Sequence, residues 1–259
     1  MPTYLNGVEQ REFVTLQDTP ASYAGQALLF PQVNAGEDAL EFAAAGGDAM
    51  DAAHIHRAED FTQFDEVLVG TGSIGIKTLF QGSVETGGTA GGLACLYKDV
   101  PFDCQAGSLV DGVNWNANVE VLFIAGLYAG GVATSHRWAW YRLSSDITGG
   151  DLALLGVGWR YHRASQQLYA QSHDGVALEN TLVSELVDIS SMLQRLYIHH
   201  TPGVSVEFYR NGTLEATHTV RVPSGVDTSS GRLSMGTENI DRNTTMYSYC
   251  TQMIARNDT

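Results

Sequence analysis

From about residue 60 onward, apolar residues fall into short runs separated by glycine, asparagine and aspartate, a spacing that suits strands and turns. Val119-Glu120-Val121-Leu122-Phe123-Ile124 is a compact β-branched and aromatic run, and His136 to Leu143 carries Trp138, Trp140 and Tyr141. Leu155, Val157, Trp159 and Tyr161 alternate with small or polar residues, which places these apolar side chains on one face of a strand. Val204, Val206 and Phe208 alternate in the same way. They lead into Arg210-Asn211-Gly212-Thr213, where Asn-Gly supplies the positive φ angles of a type I′ hairpin turn, with Leu214 to Val220 returning. Met246 to Ile254 reads as a final strand. Only Leu182 to Met192 offers a short helix, and Ile189-Ser190-Ser191 weakens it. The pattern predicts an all-β protein, an antiparallel β-sandwich or jelly roll.

Residues 1–57 read differently. Phe13, Leu16, Tyr23, Phe30, Val33, Leu40 and Phe42 are irregularly spaced, and Asp18-Thr19-Pro20 and Asn34-Ala35-Gly36 favour tight turns between them. The run from Ala43 to Ala49 is small and flexible in composition and reads as a linker. So few apolar residues do not bury a core alone, so the segment is expected to order against a partner. The expected division is an extended N-terminal attachment or trimerisation segment with its linker over 1–57, and a sandwich over 58–259.

The chain of 259 residues is 44% hydrophobic, enough for a sizeable core, but only 17% charged, with 28 glycines. Both values suit a turn-rich β protein. A net charge of −15 without any Lys/Arg cluster disfavours nucleic acid and anionic membranes as partners. The three cysteines, Cys95, Cys104 and Cys250, leave at least one thiol unpaired. They read as buried thiols of a protein assembled in a reducing cytoplasm, with a Cys95–Cys104 bridge as the alternative. No signal-peptide pattern opens the sequence and no apolar stretch is long enough to span a bilayer as a helix, so release by lysis is the expectation.

The segment Phe13-Val14-Thr15-Leu16-Gln17-Asp18-Thr19-Pro20-Ala21-Ser22-Tyr23-Ala24-Gly25-Gln26-Ala27, followed by Val33-Asn34-Ala35 and Leu40-Glu41-Phe42, resembles a module of tailed-bacteriophage virion proteins. It departs at Leu28-Leu29-Phe30-Pro31, where that family more often carries a Gly-Lys pair. Gly156-Val157-Gly158-Trp159-Arg160-Tyr161 and the stretch from Gly203 to Leu214 resemble concanavalin- or laminin-G-like jelly rolls of phage appendages. The resemblance implies a non-enzymatic structural protein of the virion surface, commonly a homotrimer. Its first form is a capsid decoration protein, contacting the major capsid protein or another virion protein through Phe13, Leu16, Asp18, Pro20, Tyr23, Phe30, Leu40 and Phe42. Its alternative is a tail-fibre or spike component whose sandwich touches a host glycan or receptor. Neither a repeat nor a heptad run is present, which favours the head over a long fibre.

Candidate chemistry is sparse. A retaining glycosidase of this architecture sets two carboxylates about 5 Å apart, on alternate positions of one strand. Glu185 with Asp188, or Glu207 alone, does not match, and no catalytic residue is assigned. Gly72-Ser73-Ile74-Gly75 has the wrong spacing for a nucleophile elbow, and the glycines of 87–92 lack a phosphate-loop lysine. His54-Ile55-His56 points two imidazoles to one side of an extended chain, where three copies in a trimer would surround an axial metal; the alternative is a solvated linker pair. His199-His200 reads as an exposed loop before Thr-Pro. Asp146, Asp174 and Asp241 are rim candidates for calcium, although no contiguous loop of alternating ligands exists. No cofactor is expected. Trp159 and Tyr161 read as core, whereas Trp115, between Asn114 and Asn116, is the candidate for an exposed glycan contact.

Overall fold

A computed structural model of the protein describes residues 3–5, 8–10, 29–33, 40–44, 55–58, 60–79, 81–86, 90–99, 112–128, 137–147, 150–184, 193–227, 231–240 and 247–257. The chain divides into two compact units, Met1–Asp51 and Ala52–Thr259. The first holds two antiparallel hairpins. In one, β1 (Thr3–Leu5) pairs with β2 (Val8–Gln10); in the other, β3 (Leu29–Val33) pairs with β4 (Leu40–Ala44), with Pro31 opposite Phe42. Ala43 and Ala44, expected in a linker, are the last residues of a strand.

The second unit begins with β5 (Ile55–Ala58), a 3-10 turn at Phe61–Gln63, β6 (Asp65–Val69), β7 (Ser73–Lys77), β8 (Gly82–Glu85) and β9 (Leu93–Asp99). Then come β10 (Val113–Asn114), β11 (Val119–Tyr128), β12 (Arg137–Ser144), β13 (Gly156–His162), β14 (Gln167–His173) and β15 (Leu178–Ser184). The remainder are β16 (Gln194–Thr201), β17 (Ser205–Arg210), β18 (Thr213–His218), β19 (Val226–Asp227), β20 (Arg232–Asn239) and β21 (Tyr247–Asn257). One sheet runs β18-β17-β16-β11-β21-β8-β7, with β5 also on β21, and the other runs β15-β14-β13-β12-β20-β9-β6. Every pairing is antiparallel. The protein is an all-β sandwich of two stacked antiparallel sheets.

Alternation builds this core. Along β16, Leu196, Ile198 and His200 are buried while Arg195 is exposed and Tyr197 and His199 are half-buried. Trp159 of β13 meets Phe208 of β17 edge to face, with ring centroids 5.4 Å apart. Tyr141 of β12 crosses to the other sheet, where its hydroxyl donates to the Gly126 carbonyl at 2.9 Å and lies 2.6 Å from Ser248 Oγ. A buried phenol so bound fixes one sheet over the other, because losing either bond strands a polar group. The Asn211-Gly212 turn forms as the sequence predicts, with φ of 52° and 86°.

Within the second unit, strand assignments depart from expectation at three places. Ile55 to Arg57, expected in the linker, form part of β5, which covers Met253 to Arg256 of β21 beyond the reach of β8. Leu182 and Val183, expected in a helix, belong to β15, and residues 185–192 lie outside the described residues. His199-His200 is strand and not loop, because the pattern of alternate burial runs on through Thr201.

Candidate functional site

The two outer faces of the sandwich carry the polar and aromatic chemistry. On the seven-stranded sheet, register sets Trp138, Trp140 and Arg142 of β12 beside His162, Arg160 and Gly158 of β13. Glycine is needed opposite the large side chains. A Cβ on Gly158 would lie 2.6 Å from Arg142 Cγ, and one on Gly236 of β20 would lie 2.0 Å from Trp140 Cζ2. The connection between β12 and β13 then folds over this surface. Arg142 donates to the Gly150 carbonyl and faces Asp146 at 3.8 Å; Arg160 pairs with Asp151, which also accepts from Gln171 at 2.8 Å. Arg142 is fully buried and Arg160 is 6% exposed. Burial lowers both guanidiniums to about 10, which still leaves them charged at neutral pH. Trp138 is covered by the His162 ring, centroids 4.0 Å apart, and by the Arg160 guanidinium 3.2 Å above it. Burial pushes the Glu238 carboxyl up, against the pull of Arg142 and Arg160. This face is covered, and its charges are held by the protein's own groups.

Among the described residues, the outer face of the eight-stranded sheet is partly exposed over β16 and β17 and closed at β21, where Ile254 is buried. One cross-strand row runs Glu207, His199, Glu120 and Arg256, with His199 Nδ1 3.5 Å from Glu207 and Arg256 3.8 Å from Glu120. The next row runs Tyr209, Tyr197, Leu122 and Ile254. At its end lies a groove of about 290 Å³ lined by Arg195, Tyr197, Tyr209 and Gly212. Its tyrosine rings tilt 45° to one another with centroids 5.7 Å apart. The Tyr209 hydroxyl donates to Glu207 at 2.8 Å, a bond that holds the phenol pKa above its usual value. Asn211 pins the hairpin turn onto β16. Its side chain accepts from the Arg195 N–H at 2.9 Å and donates to Gln194 at 2.7 Å, while its own N–H donates to the Arg195 carbonyl at 2.8 Å. The next arginine along, Arg210, is held by Glu215 through two contacts of 2.9 Å. Arg195 is exposed, and among the described residues no carboxylate pairs with it. The groove is therefore preformed, walled by aromatic rings, and carries a cation.

Solved structures share this architecture. The Emp47p carbohydrate recognition domain superposes with a TM-score of 0.51 at 12% identity, over 81% of this chain and 99% of that one. The potassium-bound Emp46p carbohydrate recognition domain gives 0.50 at 9% identity, over 76% and 90%. The fold is a lectin-like jelly roll. A legume lectin-like domain from Entamoeba histolytica follows at 0.46 and 11% identity, over 76% and 90%. No family model matches the sequence, and no curated protein does either.

The expected site residues fare unevenly. Trp115 is corrected: it is 1% exposed, not a surface contact, and packs edge to face on the buried His200 at 5.2 Å. The cause is Asn257 of β21, which bonds the Asn114 N–H at 2.8 Å and the carbonyls of Asn114 and Asn118 at 3.0 and 3.2 Å, drawing the turn inward. Phe30 falls on β3, and Leu40 and Phe42 on β4; Phe13, Leu16, Asp18, Pro20 and Tyr23 lie outside the described residues. His56 lies on β5 opposite Ala255, and His54 lies outside the described residues. Asp146 faces Arg142 and accepts from the Ala153 N–H at 3.1 Å; Asp174 accepts from the Val176 and Ala177 N–H groups and from Arg221, which holds its pKa at about 2. Asp241 lies outside the described residues. Among the described residues no group of three or more His, Cys, Asp or Glu side chains is arranged to hold a metal ion. Sequence reasoning missed Arg195, Tyr197 and Tyr209, although the alternation Arg195-x-Tyr197-x-His199 beside an Asn-Gly turn carries that signal.

Proposed function

We propose that the sandwich is a non-enzymatic carbohydrate-binding module. The observation that carries this reading is the open groove lined by Tyr197 and Tyr209, with Arg195 in its wall, on a lectin-like jelly roll. Sugar rings present C–H faces that pack on tyrosine, and hydroxyls that suit guanidinium donors. A groove held rigid by the Asn211 clamp loses little entropy on binding. The carbohydrate recognition domains that share the fold support the same class of ligand.

The phage-like segment over residues 13–42 supports a setting for this module: a virion surface protein, assembled in the host cytoplasm and released by lysis. Within that setting the tail-fibre or spike role, touching a host glycan, fits an open groove better than a purely lattice-binding decoration role. The decoration role keeps one observation in its favour, the absence of a repeat or heptad run. Homotrimeric assembly and contact with the major capsid protein belong to the same proposal.

The test is a glycan array probed with the full chain and with a Tyr197→Ala/Tyr209→Ala double variant. Retention of a defined set of glycans by the native chain and loss by the variant is the expected result. No retention by the native chain at any tested density overturns the reading. Locating the protein on particles by electron microscopy separates fibre from head.

A further inference from the structure

We propose that the groove takes an acidic sugar, a pyranose bearing a carboxylate, with that carboxylate seated on Arg195. The proposal rests on the carbohydrate-binding reading and adds the charge class of the ligand.

The observations are electrostatic and geometric. The chain has 14 basic against 29 acidic residues, so carboxylate partners for its guanidiniums are plentiful. Arg142, Arg160, Arg210, Arg221, Arg232 and Arg256 each face a carboxylate. Arg195, standing in the wall of an open groove, does not. Guanidinium offers a planar fork of N–H donors that matches a carboxylate, so it discriminates by geometry as well as by charge.

The rest of the groove sets the polarity of the ligand. Glu207 receives the Tyr209 hydroxyl and faces His199, so the end of the tyrosine wall away from Arg195 is negative. An anionic group is repelled there and drawn to the Arg195 and Gly212 end. Beside the turn, the Arg210–Glu215 pair contributes no net charge. Gly212 leaves its side of the groove open: a Cβ there would meet nothing within 4 Å, so a bulky substituent has room. About 290 Å³ lies near the lower end for small-molecule sites, which fits one sugar residue and not a long oligosaccharide. The negative field of the whole chain opposes anions at long range, so recognition depends on this short-range contact.

The experiment is calorimetric titration of the full chain with three probes: a sialyl-terminated trisaccharide, a galacturonic acid oligomer, and neutral lactose. Arg195→Gln is compared with Arg221→Gln, which makes the same change in net charge at a paired arginine outside the groove. The expected result is binding of one or both acidic probes, weaker or absent binding of lactose, and a loss of at least tenfold for Arg195→Gln with Arg221→Gln unchanged. The two acidic probes separate a sialic from a uronic ligand. Preference for lactose, or acidic-sugar binding that Arg195→Gln leaves intact, overturns the acidic-sugar proposal while carbohydrate binding stands. Absence of binding to all three probes overturns it as well; an array on which neutral glycans are retained then keeps the broader reading, and an empty array removes both.

Discussion

Arg142 and Arg195 stand on the outer faces of opposite sheets, and their surroundings share almost nothing. Arg142 has no exposure, lies along a strand flanked by Gly158, and is covered by the connection that carries Asp146 and Gly150. Arg195 looks into open solvent beside two half-buried tyrosines. The difference does not lie in the strands, since both side chains point away from the core on alternating β positions. It lies in what crosses above. A covering connection turns a charged face into a second interior, where each charge needs a partner; a bare face leaves its charge for a ligand.

That contrast can be broken from either side. The largest effect is expected for Arg142→Ala, which strands Asp146 without its cation and should cost about 3–5 kcal/mol in urea denaturation; a loss below about 1 kcal/mol would show that the pairing does not hold the connection in place. Trp115→Ala should cost about 3 kcal/mol, as for a buried aromatic truncated to a cavity, and leave glycan retention by the folded fraction unchanged. A variant of native stability that loses binding would restore Trp115 as a contact. Gly236→Ala should cost about 1–3 kcal/mol, because Trp140 must move off the backbone it covers; an unchanged melting temperature would mean the indole has slack.

Acid supplies a smaller probe of the interior. His200 and His218 are buried and burial lowers both below their ordinary 6.5, so the unfolded chain binds protons more readily than the fold. Their contribution is complete above about pH 6.5 and falls as the pH drops from there toward the depressed folded values. A melting temperature that stays flat from pH 7 to pH 5 would contradict this sign. The smallest effect on stability belongs to Arg195→Gln, within about 0.5 kcal/mol of the native chain, as expected for an exposed side chain without partners. A large loss would mean that Arg195 is structural after all.

The sandwich was legible because alternation is a local property. Val157, Trp159 and Tyr161 face the core as their spacing predicts, and the Asn211-Gly212 turn follows from the two residues that form it. Coverage is not local. Nothing in Trp138-Ala139-Trp140-Tyr141-Arg142 announces that the polar side will be closed by residues further along. Trp115 failed for a similar reason: its neighbours are polar, yet Asn257, distant in sequence, pulls them against the end of β21. The groove escaped notice because its walls come from β16 and β17, separate segments whose register, not their composition, brings Tyr197 opposite Tyr209. The resemblance over residues 13–42 bears on setting, and most of it lies outside the described residues.

The position of β21 has a consequence for how the molecule comes into being. It lies inside the eight-stranded sheet, bonded to β11 on one edge and to β8 and β5 on the other, yet it follows every other described strand. During synthesis, β11 and β8 must wait with unpaired edges until some 120 further residues have emerged after the end of β11. At about 5–20 residues per second that interval lasts on the order of ten seconds. A nascent chain with such open edges is prone to pairing with its neighbours, and the net negative charge of this sequence is one means of keeping them apart until the closing strand arrives.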